Sequence, residues 1–202
     1  SELAKLLRGF VASPESRLVN SATNVDYGDA QFVVIDLQGI STLTDRLRQL
    51  MTFIVVQEAR KIAFQAKGFK TIIMDEVAQL IKEPRMISLI DELYSTVRKY
   101  NAQIFTITQN YQSYKESGLS SKIKLNTTTN IMLSHAEARE AKRLVAEDFG
   151  LSEYEKREFD ELRTVKRQYS MALIKTAAGD KPEAAVLKIE LSPFEYWLVT
   201  SD

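Results

Sequence analysis

Thr71-Ile72-Ile73-Met74-Asp75-Glu76 is the stretch on which the fold turns. Apolar, β-branched residues followed by two acids read as a strand that delivers carboxylates at its C-terminal tip. That is what a Walker B element needs: the Asp can hold Mg²⁺ through water, and the next Glu can orient and deprotonate an attacking water. Two acids after a strand can equally form a helix N-cap with a favourable first-turn charge. The hexapeptide alone leaves both readings open.

Towards the C-terminus, Pro84 suits a first helical turn, and Met86, Ile90, Leu93 and Val97 then fall on one helix face. Residues 103–107 (QIFTI) follow as a second apolar strand, ending in Thr108, Gln109 and Asn110. One strand–helix–strand crossover of this length sets Gln109 beside the acids. An amide there can contact a γ-phosphate and report its loss; it can also be an ordinary polar strand end. Arg98 and Lys99 near the end of the helix complement its C-terminal partial charge. The functional alternative is an arginine finger, with Arg98 reaching across a subunit boundary to a neighbour's γ-phosphate.

Towards the N-terminus, residues 32–37 (FVVIDL) form an unbroken apolar run, expected to be a central parallel strand buried on both faces. Its Asp36 is either a crevice residue or a turn acid. Leu43 to about Ala66 has helical apolar spacing and stops at Gly68, as a crossover helix would. Further on, residues 128–133 (TTNIML) read as a fourth strand. Ser134 with Glu137, and Ser152 with Glu155, read as capping boxes, the first helix ending at Gly150. His135, inside the first box, reads as a solvent-facing first-turn residue. Residues 169–175 and 185–191 alternate in and out around Gly179-Asp180, predicting an antiparallel hairpin at the sheet's edge. Phe194, Tyr196 and Trp197 are expected to pack against the sheet, the alternative being to dock a partner. Residues 137–167 mix both charge signs, a solvated helical face by default and a DNA-tracking surface otherwise.

Strands alternating with helices predict an α/β fold: a mainly parallel sheet covered on both faces, with its ligand crevice beyond the carboxyl ends of the strands. No repeat or Pro/Gly/Ser linker interrupts residues 1–202, which are read as one domain. With 45% hydrophobic residues, the 202-residue chain can fill a core. Lys plus Arg and Asp plus Glu each number 27, so no basic excess advertises a polyanion partner. The lack of cysteine excludes thiol catalysis and Cys-based zinc or iron–sulfur sites, and a single histidine excludes a multi-histidine metal cage. None of the 7 glycines precedes a lysine, so neither GxxxxGK[ST] nor GxGxxG occurs.

In order and spacing, FVVIDLQGI (32–40), TIIMDEVAQLI (71–81), ELYSTVRKYN (92–101), IFTITQN (104–110), residues 124–152 and LSPFEYWLVTSD (191–202) resemble the C-terminal half of the TraC-like conjugative-transfer ATPases of type IV secretion systems. The resemblance implies a RecA-like, P-loop NTPase motor domain that works as a hexamer, powering pilus assembly and substrate transfer at the inner membrane with ATP and Mg²⁺. By position it implies that Asp75 is the magnesium acid, Glu76 the catalytic base, Gln109 the γ-phosphate sensor and Arg98 the finger. Secretion-channel and pilus-assembly proteins are the implied partners, and cytoplasmic attachment to the inner membrane the implied location. The family's phosphate loop has no counterpart, so the chain is expected to begin downstream of it and to hydrolyse no ATP alone. The strand of that loop would lie between QIFTI and TNIML, leaving a gap or exposed strand edges. The rival readings are a non-catalytic docking module with an ATPase-like fold and a related DNA-pumping ATPase with salt-dependent DNA binding.

Overall fold

A computed structural model describes residues 27, 30–37, 39, 42–81, 84–134, 139–177 and 182–199. The chain divides into two units, Ser1–Gly39 and Ile40–Asp202. In the first, residues 32–37 carry no secondary structure, and Phe32 and Val34 are 81% and 72% exposed. This corrects the expectation of a buried central strand. An apolar run becomes a strand only when neighbouring backbones take its N–H and C=O groups. No ladder among the described residues does so here.

The second unit opens with helix α1 (Asp45–Gln65), which buries Leu47, Val56 and Ala63. Gly68, at φ 79°, turns the chain into strand β1 (Lys70–Met74). Helices α2 (Val77–Leu80) and α3 (Pro84–Thr96) follow, and α3 runs on as a 3₁₀ turn, Val97–Tyr100. Met86, Leu89, Ile90, Leu93, Tyr94 and Val97 recur at steps of three and one, so all six share one face, and all are buried. Complete burial of an aliphatic side chain such as Ile90 or Leu93 contributes about 1.5–3 kcal/mol. Asn101, left-handed at φ 52°, swings the chain into β2 (Ala102–Thr106). This strand lies parallel to β1, with Lys70 opposite Ala102 and Met74 opposite Thr106.

Helix α4 (Tyr111–Glu116) begins where Asn110 Oδ1 accepts from the Ser113 amide at 3.0 Å. Helix α5 (Leu119–Asn126) starts after Gly118, at φ 74°. Then come β3 (Thr129–Leu133), α6 (Arg139–Asp148), α7 (Glu153–Glu161), β4 (Thr164–Val165), β5 (Tyr169–Thr176), β6 (Glu183–Ile189) and α8 (Pro193–Val199). The Ser152–Glu155 box is complete: the Ser152 amide donates to Glu155 Oε2 at 2.6 Å and the Glu155 amide to Ser152 Oγ at 3.3 Å. Ser134 Oγ donates to the Leu162 carbonyl at 2.8 Å; Glu137, the other half of the first box, and His135 lie outside the described residues.

The expected hairpin forms, but β5 takes the middle of its sheet and only β6 an edge. β6 pairs with one side of β5, while β3 and β4 share the other in succession, all antiparallel. Gly179 and Asp180 lie outside the described residues. Parallel pairing among the described strands is confined to β1 and β2, and no ladder joins β2 to β3. The sheet is therefore split where a gap was expected. One hydrophobic cluster nevertheless spans the unit, from Ile90, Leu93 and Leu119 to Met132, Phe159 and Leu173.

Helix α8 departs from expectation. It is opened by its own reciprocal cap, the Ser192 amide donating to Glu195 Oε2 at 2.8 Å and the Glu195 amide to Ser192 Oγ at 3.3 Å. None of its residues is buried, and Trp197 is 72% exposed. Local capping holds the helix, and Phe194 too is 68% exposed. Among the described residues no helix is long and apolar enough to cross a membrane.

Candidate functional site at the end of the parallel strands

Beyond Met74 the ladder to the neighbouring segment takes in one extra residue, and the strand gives way to a turn. The Ile107 amide donates to the Met74 carbonyl, and the Val77 amide to the Ile107 carbonyl, each at 2.9 Å. Asp75 and Glu76 are thus clamped between two bonds to the same residue of the neighbouring chain segment. The turn forces Glu76 into the left-handed region, φ 50° and ψ 41°, an uncommon conformation for a side chain of this size. The Glu76 amide donates to Asp75 Oδ1 at 2.8 Å. Asp75 is exposed, and no described residue donates to its Oδ2.

The same clamp positions Gln109, two residues past Ile107. Its Nε2 donates to Glu76 Oε1 at 2.5 Å, joining side chains 33 positions apart in sequence. The structure thus brings Asp75, Glu76 and Gln109 to one strand end. Thr108 Oγ1 turns aside to donate to the Asn110 carbonyl at 3.2 Å. Asp36 belongs to the other unit.

Arg98 is not at this end. It sits exposed in the 3₁₀ turn that precedes β2, beside the N-terminal ends of both strands. Five residues of strand at about 3.3 Å each put roughly 17 Å of sheet between it and the acids. Arg98 therefore cannot reach the acids of its own chain without a large rearrangement.

Behind the site lie polar contacts that sequence periodicity did not reveal. The Tyr94 and Thr106 hydroxyls hydrogen-bond at 2.8 Å, tying α3 to the last residue of β2. Burial pushes the Tyr94 phenol above its ordinary value. Tyr111 Oη donates to Asp148 Oδ2 at 2.9 Å, and Lys115 approaches Asp148 Oδ1 at 3.3 Å. Burial alone would raise the Asp148 carboxyl, but the Tyr111 and Lys115 hydrogen bonds and the Lys124 charge outweigh it and hold the carboxyl low. Asp148 thereby joins the end of α6 to α4 and α5. These tyrosines sit on apolar helix faces, where a sequence offers only a packing role. Among the described residues no group of three or more His, Asp or Glu could enclose a metal. The donor set at Asp75, one exposed carboxylate, fits an ion held through water.

The TraG P-loop domain profile matches residues 2–202. Among solved structures, VirB4 of Thermoanaerobacter pseudethanolicus superposes with a TM-score of 0.72 at 21% identity, over 96% of this chain and 50% of that one. The chain thus spans half the length of that protein, and the likeness establishes a common fold. No curated protein matches the sequence. The resemblance to conjugative-transfer ATPases is borne out, and the chain belongs to the TraG P-loop domain family.

Proposed function

We propose that the chain supplies the catalytic-acid half of an ATP-hydrolysing motor of a type IV secretion or conjugation system, powering pilus assembly and substrate transfer. The observation that carries this reading is the Gln109–Glu76 hydrogen bond, with Asp75 adjacent, at the carboxyl end of two parallel strands. Asp75 would hold Mg²⁺ through water, an ion that when bound would supply charge neutralisation for the β- and γ-phosphates. Glu76 orients the attacking water and takes its proton. Gln109 senses the γ-phosphate. Arg98, at the opposite end of the strands from its own acids, acts on the neighbouring subunit of a hexamer.

No GxxxxGK[ST] occurs in these 202 residues, so the backbone cradle and lysine that hold the phosphates come from residues outside them. The chain by itself is accordingly inactive. Secretion-channel and pilus-assembly proteins at the cytoplasmic face of the inner membrane are its partners in this reading. The test is turnover by a protein that unites this chain with a phosphate loop. Glu76→Gln is expected to lower kcat at least about 100-fold with little change in KM. Unimpaired hydrolysis by that variant overturns the assignment.

A further inference from the structure

The N-terminal end of the β1–β2 ladder concentrates charge that the chain as a whole balances out. The two segments that meet there, residues 59–74 and 93–110, hold Arg60, Lys61, Lys67, Lys70, Arg98 and Lys99 and no Asp or Glu. Arg60 is paired with Glu92, and Lys61 with Glu58. Lys70 knits the two turns side by side: its amide donates to the Asn101 carbonyl at 3.1 Å, and its ammonium to the carbonyls of Ala66 and Tyr100. Lys67, Arg98 and Lys99 are exposed, and no described carboxylate pairs with them. Helix C-termini favour a nearby cation. Lys70 already meets those carbonyls, so three further cations stand beyond that need.

Between Lys67 and Lys70, Gly68 turns the chain at φ 79° and leaves Phe69 63% exposed. An exposed ring flanked by unpaired cations fits an anionic lipid surface. The ring enters the boundary between headgroups and acyl chains, while the cations stay among the headgroup phosphates. We propose that the paired turns, residues 67–70 and 98–100, dock this chain directly on an anionic bilayer surface, with Phe69 inserted. Such docking goes beyond the motor reading and does not rest on it. Where a neighbouring subunit engages Arg98, the charges of Lys67, Lys70 and Lys99 remain.

Nucleic acid is the other polyanion whose phosphates these cations could meet. A single strand, however, is held by aromatic faces on which successive bases stack. Tyr100 is stacked on Phe64, with ring centroids 4.0 Å apart and planes 9° from parallel, and the Arg60 guanidinium lies over Phe64 at 5.3 Å. Those rings are engaged with one another. Phe69 is left as a single ring on a tight turn, a shape for insertion and not for a row of bases.

The test is co-sedimentation of this chain with vesicles of phosphatidylcholine and phosphatidylglycerol in equal parts, and with phosphatidylcholine alone. Binding is expected only to the first, falling as salt rises. Each Lys or Arg near such a surface contributes about fivefold in affinity, the factor to which roughly 1 kcal/mol converts. Lys67→Ala with Lys99→Ala is therefore expected to weaken binding about 25-fold. Phe69→Trp, made together with Trp197→Phe so that one indole remains, is expected to shift to the blue on the anionic vesicles and to be quenched by lipids brominated on their acyl chains. No binding to the anionic vesicles, binding that the paired lysine variant leaves unchanged, or an indole that neither shifts nor is quenched overturns the proposal. Tighter binding to a single-stranded oligonucleotide, lost in the same lysine variant, overturns it in favour of nucleic acid.

Discussion

At the scale of single residues, Glu76 sits where the proposed role and backbone stability pull apart. Its φ of 50° costs a side-chain-bearing residue on the order of 1 kcal/mol that glycine would not incur. Glu76→Gly is thus expected to be more stable than Glu76→Ala by about 1 kcal/mol in urea denaturation of this chain, while both abolish turnover in a phosphate-loop-containing form. Equal stabilities would mean the left-handed turn is not adopted in solution. Tyr94→Phe removes the hydroxyl that Thr106 meets at 2.8 Å and is expected to cost about 1 kcal/mol. The acids and the amide of the site were legible in the sequence because a strand end and a crossover of known length constrain where they fall. The direct bond between Glu76 and Gln109 was not, since it depends on the clamp at Ile107, which no local pattern encodes. Nor was the distance of Arg98 from the acids drawn from the sequence, although parallel strands require it.

At the scale of elements, α7 shows how a cap can be joined to a sheet. Glu155 completes the box with Ser152 and also meets Lys175 of β5 at 3.0 Å, both side chains largely buried. Burial alone would raise the Glu155 carboxyl, but the Ser152 and Lys175 bonds prevail and hold it below its ordinary value near 4.5. A folded-state value below the unfolded one means the unfolded chain binds the proton first. The stabilisation is present above about pH 4.5 and is lost as pH falls through the lowered value. Glu155→Gln should therefore lose stability at pH 7 and show a flatter loss between pH 5 and 3, measured by thermal unfolding. Ser152→Ala is expected to cost about 1 kcal/mol. This box was readable because both partners lie within one turn. The helix α3 face and the β5–β6 hairpin were readable for the same reason, being periodic. Residues 32–37 and α8 were misjudged because apolar content indicates what a segment can bury, not whether a surface is there to receive it.

At the scale of the whole molecule, the β1–β2 ladder has an apolar face that is only partly covered: Ile73 is 60% exposed and its register partner Phe105 44%. Trp197, the sole tryptophan, stands on a helix with no buried residue. Its fluorescence is expected to resemble that of free tryptophan and to be readily quenched by iodide in the isolated chain. A blue-shifted, protected emission would show that α8 packs onto something in solution. The broken sheet also has a consequence for time rather than shape. Strand β5 is paired along both sides, so its amide hydrogens can exchange with deuterated solvent only when the antiparallel sheet opens. The two-stranded β1–β2 ladder, carrying the acids, has no third strand to hold it among the described residues. Its amides should exchange well before those of β5, making the strand end that carries Asp75 and Glu76 the first to breathe.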